Sequence, residues 1–342
     1  MKKFILILIL ILAIAIPSGC SKNSLPSEKT QTAEFFALDT YCSVTVYGEN
    51  ETDFKKISED SVAKAQTLLT SSAENNLYIA DIKNQTLNLS GDATDVLVKA
   101  FEIYDISDGA FDITIAPLTK LWDIANRTEP PSESEILFAK SFCGKDKITF
   151  SEDLRTVIFL QAGSGIDIGA VCKGYAGDTI AKALTEAGYT AGNINLGGNV
   201  TVFGKKQSDK PFVIGIKDPL SERNDSIVGT LVVTDCSVVT SGAYERFFTY
   251  EGKRYHHIID PATGSPAVND FLSVTVIAEN GIYADALSTA IFAAGPEKAG
   301  QLIQSATEKG YMTGAVLINN ERSVSVIGDI DFTVTNNDYH EN

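Results

Sequence analysis

Histidine is rare in this chain, and two of its three histidines are adjacent in a segment rich in charged and aromatic residues. His256 and His257 come shortly before Asp260 and a Pro-x-x-Gly turn. Because the pKa of imidazole lies near neutrality, a histidine beside a carboxylate is a candidate general base. The structural alternative is a surface hairpin with an ordinary aromatic and charged face.

A second segment, YADALSTA, carries oxygen-bearing side chains at helical spacing. Asp285 and Thr289 are four residues apart and would lie on one face of a helix. A carboxylate, a hydroxyl and a freed backbone carbonyl suit a hard cation. Asp285 is also a candidate N-cap of the same helix, and the segment taken alone favours the cap.

Two glycine-containing segments permit close approach of a ligand. In GIDIGAVCKGYAGD, a predicted strand ends at Asp167, and a small-residue turn leads into a helix that bears Lys173. Backbone N–H groups at a helix start, together with a lysine, suit a phosphate. In NINLGGNVTVFG, paired glycines allow a ligand or another chain to approach a strand, or form a bulge.

The segment SDGAFDITIAPLTKLW combines a turn with potential ligand contacts. Asp108-Gly109 is predicted as the turn, and Ala110, Phe111 and Asp112 would then present backbone donors, a ring and a carboxylate together. The structural alternative is a hairpin turn followed by a core strand.

The elements that must position these segments follow from apolar periodicity. Helices are predicted over 53–69, 93–107 (with Asp92 or Thr94 as the cap), a short stretch after the loop 128–135, 175–187, 284–293 and 296–305. Strands are predicted within 34–47 and over 157–161, 193–203, 212–217, 227–234 and 272–278. This order predicts an α+β fold with mixed or antiparallel sheets and packed helices. No glycine-rich dinucleotide motif or P-loop occurs after a strand.

The N-terminus predicts export. Lys2 and Lys3 precede an apolar run over 4–16 and then Pro17, Ser18, Gly19 and Cys20. This pattern is typical of a signal peptide over 1–19 whose removal exposes a lipidated Cys20. Pro17 stands where lipoprotein signals usually carry an aliphatic residue, so the alternative is an uncleaved anchor. We predict a flexible tether over 20–33, a folded domain over 34–335, and a location at the extracytoplasmic face of a bacterial cell membrane.

The composition narrows the possible partners. The net charge is −16, and 44% of the residues are hydrophobic. Such an acidic chain is a poor partner for nucleic acid, and an acidic protein that binds a nucleotide needs metal ions or backbone donors. Cys42, Cys143, Cys172 and Cys236 form no C-x-x-C motif, which predicts small buried residues, although a disulfide is possible outside the cytoplasm.

The order and wording of six segments resemble the ApbE family, the FAD:protein FMN transferases, over about residues 36–295. The matching strings are DGAFDITIAPLTKLW, IDIGAVCKGYAGD, NLGGNV, TSGAYERFF, YHHIIDPATGSP and ADALSTAIF. The resemblance implies an ApbE-like α+β fold related to the tunnelling fold, with FAD held in a deep cleft.

The resemblance also implies roles for individual residues. The implied Mg²⁺ ligands are the side chains of Asp285 and Thr289 and the backbone carbonyls of Ala170 and Ser288. Lys173 would face the FAD phosphates, and His257 would take a proton, oriented by Asp260, with Arg246 in the same region. The implied flavin-nucleotide contacts are Leu38, Gly109, Ala110, Phe111, Asp112, Asp167, Lys173 and Ile259.

The implied reaction is Mg²⁺-dependent transfer of FMN from FAD to a Thr or Ser hydroxyl of an exported redox or electron-transfer flavoprotein, with release of AMP. The alternatives are an FAD pyrophosphatase that uses water, and a flavin-binding lipoprotein without catalysis. Two positions depart from the family. Leu38-Asp39-Thr40 replaces Met-Gly-Thr, and a flavin-stacking tyrosine is replaced near Ser72, with Tyr78 as a possible substitute.

Overall fold

The computed structural model describes residues 29–48, 50–69, 77–206, 209–223 and 225–342. The predicted signal peptide, the lipidation site Cys20 and the position near Ser72 lie outside the described residues. No helix among the described residues has the length and apolar character to cross a membrane.

Six α-helices are present among the described residues. They are α1 (Phe54–Gln66), α2 (Gly91–Ile106), α3 (Ala116–Trp122), α4 (Glu133–Lys140), α5 (Gly169–Glu186) and α6 (Gly281–Glu308). Short 3₁₀ turns cover Ile113–Ile115 and Lys145–Lys147. α6 is broken at Gly295, whose φ of 72° is not helical, and Pro296 begins its second half. This break agrees with the prediction of two consecutive helices over 284–305.

A nine-stranded sheet is the centre of the fold, in the order β1-β2-β8-β9-β12-β17-β18-β19-β21. All its pairs are antiparallel except the last, β19 with β21. Its strands are β1 (Thr30–Ala37), β2 (Thr40–Tyr47), β8 (Ala191–Leu196), β9 (Asn199–Gly204), β12 (Cys236–Gly242), β17 (Phe271–Ala278), β18 (Gly314–Asn319), β19 (Ser323–Gly328) and β21 (His340–Glu341).

Five smaller sheets surround the central one. Their strands are β3 (Leu77–Ile79) with β7 (Gly165–Asp167); β4 (Thr86–Asn88), β6 (Thr156–Phe159) and β5 (Ile148–Phe150); β10 (Phe212–Lys217), β11 (Ile227–Val233) and β20 (Asp331–Val334); β13 (Phe247–Tyr250) with β14 (Lys253–His256); and β15 (Ile259–Asp260) with β16 (Ser265–Pro266).

The central sheet buries both of its faces. Side chains alternate along a strand, so Val274 and Val276 of β17 face the core formed with the helices, while Ile277 faces a second core. The second core includes Phe212 and Leu231 of the β10-β11-β20 sheet. The layers are therefore helices, a central sheet and a small sheet, which confirms the predicted α+β class.

Several predicted boundaries change. The cap of α2 is Ser90, whose hydroxyl accepts from the Ala93 N–H at 3.1 Å, rather than Asp92 or Thr94. The segment 193–203 is a hairpin turned at Gly197-Gly198, not one strand with a bulge. The central sheet runs from Thr30 to Glu341, so strands extend past both ends of the predicted domain, and the predicted tether overlaps β1.

Candidate active site

Helices α5 and α6 cross at unusually short range because a glycine faces a glycine. A Cβ added to Gly174 would lie 2.0 Å from the carbonyl oxygen of Gly281, and a Cβ on Gly281 would lie 2.5 Å from that of Gly174. Asp178 of α5 also accepts the Gly281 N–H with both carboxylate oxygens, at 3.0 and 2.9 Å. The start of α6 is therefore held tightly against α5.

Asp285 and Thr289 lie on the face of α6 that this crossing brings to α5, as their spacing predicts. The helix is capped by Asn280, which leaves the carboxylate of Asp285 available for another role. Asp285 is buried, and its Oδ2 accepts the N–H of Gly174 at 2.9 Å. Burial raises the pKa of Asp285 to about 6, although Lys173 opposes the shift.

A hydroxyl cluster adjoins this carboxylate. Ser241, at the end of β12, has its Oγ 2.8 Å from Oγ of Ser288 and 3.2 Å from Oγ1 of Thr289. The Ser288 hydroxyl also donates to the carbonyl of Asp285 at 2.9 Å. Ser241 was not predicted as a site residue, although it lies in the quoted string TSGAYERFF.

The beginning of α5 forms a second wall of the cleft that Asp285 and Thr289 line. This helix starts at Gly169, six residues before the start predicted from apolar periodicity, and Lys173 lies within its second turn, as expected for the helix that follows Asp167. Asp167, at the end of β7, accepts the Gly169 N–H at 2.8 Å. Burial raises the pKa of the Asp167 carboxyl.

The segment after α2 supplies the third wall. Asp108 and Gly109 have positive φ and form the predicted turn, and the hydroxyl of Ser107 accepts the Phe111 N–H at 3.1 Å. Asp112 accepts the Thr114 N–H at 2.7 Å, and burial raises its pKa. A 3₁₀ turn and α3 follow, so the alternative of a core strand is wrong.

The structure separates the two adjacent histidines. His256 is buried, with Nε2 2.8 Å from the carbonyl of Ala267 and Nδ1 3.2 Å from the Ile258 N–H, so both ring nitrogens have structural partners. His257 faces the cleft. Local burial lowers its pKa to about 3, and the positive charges of Arg246 and Lys173 act in the same direction. The ring is therefore neutral over the physiological range.

The partner of the His257 ring is a backbone carbonyl. Nδ1 lies 3.4 Å from the carbonyl oxygen of Arg246, and the His257 N–H donates to the same oxygen at 3.1 Å. The carboxylate of Asp260 instead accepts the Ala262 N–H at 2.8 Å within its own turn. The geometry thus gives the expected orienting position to Arg246 rather than to Asp260.

These walls enclose a cleft of about 320 Å³. The predicted site residues that line it are Leu38, Ala110, Phe111, Asp112, Asp167, Ala170, Lys173, Arg246, His257, Ile259, Asp285 and Thr289. Gly109, Asp260 and Ser288 are not in contact with the cleft, although each adjoins a residue that is. Lining residues that were not predicted include Asp39, Gln66, Thr119, Thr240, Ser241 and Glu245.

The cleft has an excess of negative charge. Five carboxylates line it, from Asp39, Asp112, Asp167, Glu245 and Asp285, against the two cations Lys173 and Arg246. Glu245 is exposed toward the cleft, yet its dense surroundings raise the pKa of its carboxyl. In the described parts of the chain, no three His, Cys, Asp or Glu side chains converge on a metal position. A cation bound here would therefore need hydroxyl, backbone or substrate oxygens as well.

Two predictions about flavin contacts have different outcomes. Leu38 does line the cleft, in a hairpin turn where Leu38 and Asp39 both have positive φ (52° and 55°). Tyr78 points elsewhere, with its ring stacked on Phe159 at 5.3 Å, so it cannot replace the stacking tyrosine in this arrangement.

The cysteines Cys42, Cys143, Cys172 and Cys236 are all free thiols.

The sequence of this chain is similar to one family of known proteins. The ApbE family model matches residues 38–312. The FAD:protein FMN transferase of Klebsiella pneumoniae is 36% identical over 56% of this chain and 59% of that protein. That of Treponema pallidum is 37% identical over 61% of each protein, so the chain spans about three fifths of these two relatives. The Escherichia coli K12 protein of the same name is 26% identical over 86% of this chain and 88% of that protein.

Solved structures share the fold. The flavin transferase ApbE from Vibrio cholerae superposes with a TM-score of 0.72 at 22% identity, over 90% of this chain and 97% of that one. The ApbE protein from Thermotoga maritima superposes with a TM-score of 0.72 at 27% identity, over 89% and 96%. With the family match over most of its length, this chain belongs to the ApbE family.

Proposed function

We propose that the protein transfers FMN from FAD to a Ser or Thr hydroxyl of another protein, with Mg²⁺ as cofactor and AMP as the second product. The observation that carries this proposal is the single cleft that combines Lys173, His257 and the Asp285–Thr289 pair. Phosphoryl transfer depends on positioning and charge neutralisation, and these side chains supply both. The curated relatives that share this family are named for the same activity.

The residues around Asp285 suit a hard cation with oxygen ligands. The carboxylate is buried without an ion-pair partner within 4 Å among the described residues, and the Thr289 hydroxyl lies one turn away. The Gly174 N–H donates to Asp285, whereas in a regular helix it would donate to the carbonyl of Ala170 alone. That carbonyl is thereby more available as a ligand. The backbone carbonyl of Ser288 would be the fourth protein ligand, as the family resemblance implies.

Bound Mg²⁺ would neutralise pyrophosphate charge and stabilise the departing AMP phosphate. Lys173 shares this task from α5, since its ammonium acts electrostatically on Asp285, Glu245 and His257 alike. Without cations, the five carboxylates of the cleft would repel the pyrophosphate.

His257 is suited to accept the proton of the acceptor hydroxyl. A proton on Nδ1 is directed at the carbonyl of Arg246, which leaves the lone pair on Nε2. The acceptor oxygen forms a bond to the FMN phosphorus, the phosphorus–oxygen bond to AMP breaks, and the proton goes to Nε2. The pKa of His257 is low in the protein without FAD. The negative charge of a phosphate near the ring would raise this pKa and make the ring a stronger base.

The experiment is a transfer assay with FAD, Mg²⁺ and an exported flavoprotein, read as in-gel flavin fluorescence and as AMP release. We expect His257→Ala to abolish flavinylation while FAD still binds, and Asp285→Ala to abolish both activity and its Mg²⁺ dependence. AMP release without acceptor, at the rate seen with acceptor, would identify a pyrophosphatase. Bound FAD with no AMP under any condition would identify a carrier.

We further propose that the protein is exported and anchored by a lipid on Cys20, so that its acceptors are exported redox proteins. The N-terminal lysines, the apolar run and the small residues before Cys20 support this proposal. The test is metabolic labelling with a radioactive fatty acid, which should label the wild type and not Cys20→Ser. Equal labelling of both proteins would refute the anchor at this position.

A further inference from the structure

A positively charged and aromatic surface lies directly beside His257. It consists of Arg246, Phe247, Thr249 and Arg254, and we call it the hairpin face. The β13–β14 register pairs Phe247 with His256 and Thr249 with Arg254, so Phe247, Thr249 and Arg254 share one side of the hairpin. Arg246, Thr249 and Arg254 are exposed, and Phe247 retains 40% of its surface.

The other side of the hairpin is fixed to the core. Phe248 and Tyr255 stack with ring centroids 5.2 Å apart, and Tyr255 stacks on the buried Trp122 at 5.8 Å. The indole N–H of Trp122 donates to the carbonyl of Gly264 at 2.8 Å, which ties the hairpin to the loop after β15. The hairpin face is therefore held in place by the packing of its opposite side.

The arginines of the hairpin face form no ion pair with the described residues, although Arg246 acts electrostatically on the adjacent Glu245. The guanidinium of Arg254 lies over the ring of Phe247, 4.1 Å from its centroid. Neither Arg254 nor Arg246 has an acidic side chain within ion-pair distance among the described residues. Of the neighbouring carboxylates, Glu245 faces the cleft and Glu251 lies in the hairpin turn at the far end. Two unpaired arginines on one face are notable in a chain of net charge −16.

The hairpin face meets the cleft at Arg246, the one of its four residues that lines the cleft. The His257 N–H donates to the carbonyl of Arg246 at 3.1 Å. This hydrogen bond joins the start of the hairpin directly to the residue that is the candidate general base. A polypeptide that presents a hydroxyl to His257 therefore brings the residues flanking that hydroxyl close to Arg246 and the rest of the hairpin face.

We infer that the hairpin face binds an acidic, extended segment of the acceptor protein, immediately beside the Ser or Thr that receives FMN; this inference rests on the proposed function. Guanidinium groups pair with carboxylates in bidentate geometry, and Arg with an aromatic residue is a common energetic centre of protein interfaces. An extended segment presents successive side chains on both of its faces, so the hydroxyl can reach His257 while neighbouring carboxylates reach the arginines.

The test uses three fluorescent 13-residue peptides with a central Thr, flanked by aspartates, by serines or by lysines. Binding to the full-length protein with FAD and Mg²⁺ is measured by anisotropy. We expect the wild type to prefer the aspartate peptide, and Arg254→Glu to weaken that binding about tenfold or more. Arg254→Glu should in turn bind the lysine peptide more tightly than the wild type does.

Arg155→Glu is the matched control, since Arg155 is an exposed arginine before β6 that does not line the cleft. FAD binding by each variant checks its folding, because Arg254 is not a cleft residue. Equal binding of the three peptides, no binding of any, or an equal effect of the two substitutions would overturn the inference. Loss of binding to phosphatidylglycerol vesicles in Arg254→Glu, without a peptide preference, would also overturn it and indicate a membrane contact.

These outcomes are distinct from a failure of the proposed function. Anisotropy reports peptide binding whether or not FMN is transferred. An aspartate peptide that binds through Arg254 and never gains FMN would contradict the transferase assignment and leave the binding surface intact.

Discussion

The crossing of α5 and α6 gives the sharpest prediction about stability. In Gly174→Ala, the new Cβ would be 2.0 Å from the Gly281 carbonyl oxygen. This oxygen is a backbone atom, and the Cβ is bonded directly to the backbone. No side-chain rotation relieves such a contact, so the helices must move apart. Overpacking costs about 1–3 kcal/mol and sometimes more, while Ala in place of a helical Gly returns about 1 kcal/mol. Because the contact is with a backbone oxygen at 2.0 Å, the upper end of this cost applies, and we expect a net loss of about 2 kcal/mol in the free energy of unfolding.

Gly300→Ala is the matched control. Gly300 is an exposed glycine of the same helix, α6, with no other atom within 4 Å of the added Cβ. The substitution removes a helix-interior glycine without a clash, so we expect a gain of about 0.5–1 kcal/mol. Urea unfolding followed by circular dichroism measures both variants, with an unchanged m-value as the sign that stability alone has changed.

The same pair connects stability to function. Separation of the helices would pull the Gly174 N–H away from Asp285 and move Lys173 relative to Thr289. We therefore expect Gly174→Ala to bind FAD with Mg²⁺ more weakly even where it is fully folded, while Gly300→Ala binds normally. A Gly174→Ala protein as stable as Gly300→Ala would refute the role of the glycine contact.

Three further predictions concern charge and backbone conformation. Burial raises the pKa of Asp285 to about 6, and protonation of this carboxylate competes with metal binding, so kcat/KM should decrease below about pH 6. A higher Mg²⁺ concentration should move this acidic limb of the pH profile to lower pH. An acidic limb that does not respond to Mg²⁺ would contradict the assignment of Asp285 as a ligand. Burial raises the pKa of Asp178 from 3.8 to about 7, so ionisation in the folded state is penalised and the penalty grows as pH rises between these values. Relative to the wild type, Asp178→Asn should therefore gain more than about 1 kcal/mol of stability between pH 4 and pH 7 in urea titrations, and a constant difference would argue against the shift. Asp39→Gly should raise the free energy of unfolding by about 0.5–1 kcal/mol, because Asp39 has a φ of 55° that glycine adopts without strain; a loss would mean that its side chain is needed in the turn.

Local sequence determined most elements that carry the site. The pattern of apolar residues located α1, β10, β11 and β17 to within a few residues. An amphipathic period marks α1 and β10, and a continuous apolar run marks β17, which is buried on both faces; both kinds of pattern are local. The four-residue spacing of Asp285 and Thr289 set their common helical face, and the strand that ends at Asp167 preceded the helix bearing Lys173 as expected. The family resemblance, carried by six short strings, identified twelve residues that line the cleft.

Other features depended on contacts between distant parts of the chain. Asp285 was ambiguous between a cap and a ligand until Asn280 proved to cap α6 and Gly174, 111 positions away in sequence, proved to donate to the carboxylate. The two adjacent histidines are alike in sequence, and hydrogen bonds to the Ala267 carbonyl and the Ile258 N–H give His256 a structural role, while His257 lines the cleft.

The hydrogen-bond partner of the His257 ring also depended on tertiary structure. Asp260 is close in sequence and carries a carboxylate, so sequence favours it, yet its turn directs that carboxylate to the Ala262 N–H. A backbone carbonyl, that of Arg246, reaches the ring instead because the β13–β14 hairpin returns the chain to that point. Sequence by itself determined which residue types could do the chemistry and on which elements they lie. Tertiary structure decided which of them meet, because hydrogen-bond partners and burial depend on contacts between segments that no local pattern encodes.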